Sequence, residues 1–131
     1  MLSTKRGEAM PMSSIVGSAE FSIDDLNNVK EGEFLTLKIK AKKIVSRWMR
    51  GQTGEFDYKD IGVEFYVAGI YRNLAEDAVT VIGYYQTDNM WFHVNMVVSK
   101  DPEDKIASIS IRPGFEPHKS IVLDYQRRQM V

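Results

Sequence analysis

The chain has no cysteine among its 131 residues. A disulfide framework, a thiolate nucleophile and any zinc site built on sulfur are therefore excluded. Histidine is scarce too, with only His93 and His118. No stretch approaches the ~18 uninterrupted apolar residues of a membrane span, so no membrane partner is expected. The opening segment MLSTKRGEAMPMSS carries charges but lacks the apolar core of a secretory signal. That gap is the main ground for expecting a cytoplasmic protein. An excess of one charge is missing as well: 17 basic against 18 acidic residues give a formal net charge of −1. Such a chain has no global field to draw it onto a polyanion, and little repulsion to keep its copies apart. Walker loops, dinucleotide fingerprints, nucleophile elbows and zinc-protease helices are all absent.

What is present describes a globular protein. The length suits one domain, and 44% hydrophobic against 27% charged residues suits a packed core rather than a disordered tail. Residues 1–14, small and polar and broken by Gly7 and Pro11, are expected to form a flexible tail. Residues 15–131 are expected to form a single β-rich domain.

One helix signal stands near the start. Ser22 is placed to cap a first turn through its hydroxyl, and Asp25, three residues on, can accept from the cap's own N–H. Phe21 before the cap can staple onto Leu26. After Gly32 the period changes to two. Leu35, Leu37, Ile39 and Ala41 alternate with Thr36, Lys38, Lys40 and Lys42, which puts the lysines on one side of a strand. Beyond this strand, Ile44 and Val45 are expected to carry it on after a bulge, towards Trp48. Further strands are expected over Ile61–Tyr71, Ala78–Gln86, Met90–Lys100, Ile106–Arg112 and Ile121–Tyr125. The turns at Thr87–Asn89 and Asp101–Asp104 are too short for parallel crossovers, so the topology is a meander. The expected fold is mainly β: a small antiparallel barrel or curved sheet of about six strands, with one short N-terminal helix.

Three constellations are candidates for function. The first is the basic stretch Lys38, Lys40, Lys42, Arg47, Trp48 and Arg50, where cations beside an aromatic ring suit a single-stranded nucleic acid. Its plainer reading is a lysine-studded face that resists edge-to-edge aggregation. The second is aromatic: Tyr84, Trp91 and His93 flank one turn and can line a mouth that grips a ligand or a partner residue. Cross-strand packing explains the same rings, and only one of Tyr84 and Tyr85 can face the core. The third is His93 as a general base, for which the sequence identifies neither nucleophile nor orienting carboxylate. His118 and Glu116 have no spacing typical of a metal site, and the carboxylate pairs sit where turns want acceptors. No cofactor and no metal are expected.

The leading expectation is therefore a binding or accessory protein rather than an enzyme, meeting another protein or its own copy through a β surface. Seven methionines and a surplus of rings point the same way. A nucleic-acid-binding barrel using residues 38–50 is the alternative, followed by a small-ligand barrel or enzyme centred on Trp91 and His93.

Overall fold

The computed structural model describes residues 13–46 and 55–129. Six strands form a closed barrel: β1 (Ser13–Glu20), β2 (Phe34–Ser46), β3 (Glu55–Tyr71), β4 (Ala78–Thr87), β5 (Met90–Ser99) and β6 (Ile106–Pro113). Each strand pairs antiparallel with the next, and β6 returns to β1, so no strand is left with two open edges. Helix α1 (Ile23–Leu26) follows β1, and helix α2 (Lys119–Gln129) follows β6.

Alternation sets which side chains point inward. Leu37 and Ile39 of β2, Val63, Phe65 and Val67 of β3, Val79 and Val81 of β4, and Val94, Met96 and Val98 of β5 fill the barrel with Ala107, Ile109 and Ile111 of β6. The interior is a packed core rather than a lumen, as expected for so few strands. Helix α1 connects β1 to β2 yet touches β5 across the barrel, and carries the fully buried Leu26 into the core. It therefore closes one mouth. Its capping box is present in full, with Ser22 and Asp25 bonded reciprocally.

The β4–β5 hairpin turns on Asp88 and Asn89, whose φ angles of 53° and 63° make the two-residue connection that matches strand twist. The expected bulge in β2 is also there. Val16 pairs with Lys43 while Gly17 pairs with Ala41, which leaves Lys42 as the extra residue. At Gly17 the backbones come so close that any Cβ would collide with the Lys40 carbonyl.

Two elements differ from the sequence reading. Ile121–Tyr125, expected as a strand, lies within α2. The β3–β4 ladder stops at Tyr66 and leaves a seam, but the segment crosses that seam as a helix, which satisfies its own backbone internally and sends Tyr125 to the strands' carbonyls. The strand that takes its place in the count is β1, which includes Ser13 and Ser14 from the expected tail. Its inward residues, Ile15, Gly17 and Ala19, are mostly too small to give a strong alternating signal. The rest of that tail, residues 1–12, lies outside the described residues. Among those described, no helix is long and apolar enough to cross a membrane.

Candidate functional site

The core is filled, so the places where this molecule can act lie on its outer wall. One row of outward positions crosses five strands through paired residues: Phe34 with Tyr66, Tyr66 with Tyr84, Tyr84 with His93, and His93 with Arg112. Tyr84 and His93 stack edge to face with ring centres 5.3 Å apart. His93 is exposed and lies against Gly114, where even a methyl group would run into the imidazole. Tyr85 points the other way and packs on the core beside Phe92.

The sequence reading groups Tyr84, Trp91 and His93 as a mouth. The structure brings all three to the outer face of the β4–β5 hairpin, but Trp91 is already covered. The β3–β4 ladder runs from Tyr71 back to Tyr66 and no further among the described residues. Where the strands part, Tyr125 of α2 enters the seam and donates its hydroxyl towards the carbonyls of Glu64 (3.1 Å) and Tyr84 (2.9 Å). Its ring stands edge-on to Trp91 at 5.1 Å and to Phe34 at 4.9 Å. Burial pushes the Tyr125 phenol well above its ordinary pKa, because the charged form would have no water. One turn later Arg128 pairs with Glu64 and lies over the Phe34 ring. That guanidinium, by its hydrogen bond, holds the Glu64 carboxyl below its usual range. Burial first, and then the charge of Asp124, raises the Tyr66 phenol. Helix α2 is thus pinned across the outside of β2–β5 by one buried ring and one exposed ion pair. Sequence reasoning missed this part of the wall, since its contacts join residues far apart in the chain.

Lys38 and Lys40 stand exposed on the outer face of β2, as alternation requires. They edge an open groove of about 710 Å³ whose wall also holds Ser18, Thr36, Glu20 and Asp60. Asp60 is the cross-strand partner of Lys40, so lysines and carboxylates share this groove. The side chain of Lys42 and all of Arg47, Trp48 and Arg50 lie outside the described residues. His118 accepts from the Ser120 N–H at the start of α2. Among the described residues no three His, Asp or Glu side chains are gathered as metal ligands.

The β5–β6 side of the barrel is different in kind, although its margin at Ser18 and Ile106 also lines that groove. Facing outward from β5 are Trp91, His93, Asn95, Val97 and Ser99, and from β6 Ile106, Ser108, Ser110 and Arg112. Arg112 is the one fixed charge in this strip. The flanking outward positions of β4 and β1 continue it with Thr80, Ile82, Val16 and Ser18, and end at the acidic Glu20 beside Ile106. Of eight large apolar residues left exposed among the described residues, five lie on this strip or its margins: Val16, Met90, Val97, Ile106 and Phe115. Phe115 is 86% exposed, just beyond Gly114, whose N–H donates to Trp91. The signal was available in the sequence, because the polar members of the alternation at 95–99 and 108–110 are Asn and Ser where Lys or Glu would be ordinary. No family model, curated protein or solved structure matches the chain.

Proposed function

We propose that this protein works by contact rather than by chemistry, as a binding protein with a regulatory, inhibitory or assembly role. Its working surface is the outer strip of β5 and β6. The observation that carries this reading is the pairing of exposed apolar side chains with a nearly uncharged wall. Interface centres are depleted of charge and enriched in aromatic residues and methionine, whereas a wall meant only for water carries lysine and glutamate. The β2–β3 side of the same barrel, with Lys38, Lys40 and Asp60, is such a solvated wall. The cytoplasmic setting expected from the sequence belongs to the same reading.

A photo-crosslinkable residue introduced in place of Val97 and, separately, of Lys38 tests it in the native cell. The reading requires protein adducts from position 97 and few from position 38. Equal or absent labelling at the two positions would refute it.

A further inference from the structure

The uncharged strip has a shape and a charge arrangement that name its partner: we propose that it pairs with the same strip of a second copy about a two-fold axis. This rests on the reading of β5–β6 as a contact surface and adds what covers it.

The outward rows of β5 and β6 run in order: Trp91 beside Gly114, His93 beside Arg112, Asn95 beside Ser110 and Val97 beside Ser108, with Ser99 and Ile106 beyond the last pair of the ladder. The middle row, Asn95 and Ser110, is small and neutral. A two-fold axis through it inverts the order on the partner. The row of His93 and Arg112 then meets the partner's Val97 and Ser108, while Trp91, already under Tyr125, stays outside the contact. Exposed apolar groups fall on one another, because Phe115 and Met90 stand at one end and Ile106 at the other.

Charge selects the same arrangement. Laid side by side in the same direction, two strips would place Arg112 against Arg112. Inverted about the middle row, the two Arg112 stand two rows apart, roughly 14 Å, each displaced towards the end where the partner's turn bears Asp101, Glu103 and Asp104. Lys105 is in that turn too, while Lys100 is occupied with the Ala75 carbonyl. An isologous contact must be complementary to itself in this way, with unlike ends and a neutral centre.

Area sets the strength. Strand spacing and rise make the strip roughly 27 Å long and about 15 Å wide, or on the order of 400–500 Å² per copy. The total of roughly 800–1,000 Å² lies at or just below the lower limit for a specific interface, so the dimer is weak and reversible.

The absence of cysteine makes a direct test simple. A single Asn95→Cys substitution puts two thiols at the axis, whereas Lys38→Cys puts one on the far wall. Under mild oxidation the N95C chain should give a disulfide-linked species of twice 15.0 kDa much faster than K38C. In sedimentation equilibrium the unmodified chain should pass from monomer to dimer with rising concentration. Asn95→Lys, which sets two ammonium groups face to face, should raise the midpoint at least tenfold. A chain that stays monomeric at several hundred micromolar, or N95C and K38C oxidising at equal rates, would overturn the pairing. If adducts of another mass still form from position 97 in the cell, the strip remains a contact surface but its partner is a different protein. If none form, the contact surface itself is refuted.

Discussion

Removing Tyr125 tests how α2 is held, and its two halves separate by substitution. Tyr125→Phe keeps the ring against Trp91 and Phe34 but takes the donor from the carbonyls of Glu64 and Tyr84. Leaving acceptors unpaired in a partly buried seam costs about 1–2 kcal/mol. At roughly 4 °C per kcal/mol for a chain of this size, the melting temperature should fall by about 4–8 °C. Tyr125→Ala also removes the only fully buried side chain of α2. Aromatic truncations in cores cost about 3–5 kcal/mol, and a site on the outer wall, where water can return, belongs at the lower end. An eleven-residue helix is too short to persist off its support, so α2 should unravel while the barrel stays. Circular dichroism at 222 nm reports this cleanly, since α1 is one turn long. In a Trp48→Phe background the emission of Trp91 should shift to the red as Tyr125 leaves its ring. The reasoning fails if Tyr125→Ala leaves both signals unchanged. It fails equally if Tyr125→Phe costs as much as Tyr125→Ala, for then the ring contacts contribute nothing.

Ser22→Ala removes one side of the capping box and should cost about 1 kcal/mol in urea denaturation, because the Asp25 N–H loses its acceptor while the Asp25 carboxylate keeps the backbone N–H of residue 22. Gly114→Ala presses a methyl group into the His93 ring. It should cost about 1–3 kcal/mol as overpacking, and a second substitution, His93→Ala, should return most of that loss in a double-mutant cycle. Alkaline pH should loosen α2. The folded Tyr125 has a raised pKa, so its contribution is complete below the unfolded value of about 10 and is lost as pH rises through the folded value, by at most about 1.4 kcal/mol per pH unit. Urea midpoints at pH 9 and 11 should therefore fall further for the unmodified chain than for Tyr125→Phe. Equal falls would exclude Tyr125 as the titrating group.

Much of the barrel is legible because its strands obey a two-residue period with strong inward side chains. Leu37 and Ile39, Val79 and Val81, and Val94 to Val98 each declare a face, and the short turns at Asp88–Asn89 and Asp101–Asp104 leave only antiparallel pairing. The two misreadings have one physical source. Gly17 and Ala19 face inward on β1 at places where Ile39 and the Lys40 backbone already fill the space, so small residues are required and the hydrophobic signal is faint. Ile121, Val122 and Leu123 favour a pleated surface locally, but whether a strand can form depends on a free edge. Here the segment covers the β3–β4 seam as a helix, and where that seam opens is a property of the whole chain.

The aromatic group divides along the same line. Alternation alone separates Tyr84 from Tyr85 and Trp91 from Phe92, and it places His93 on the face of Trp91. What alternation cannot supply is the occupant of the outer surface. Trp91 projects outward like Val97 and Asn95, yet Tyr125 covers it while Val97 remains in water. A local pattern therefore identifies which side chains leave the core but not which of them find a partner within the same chain. The outward apolar residues left uncovered after α2 has docked carry the information about function. On β5 and β6 they stand among Asn and Ser, where an added lysine would cost the fold nothing. Neutrality on that wall is not required by folding, and association is the physical process that benefits from it.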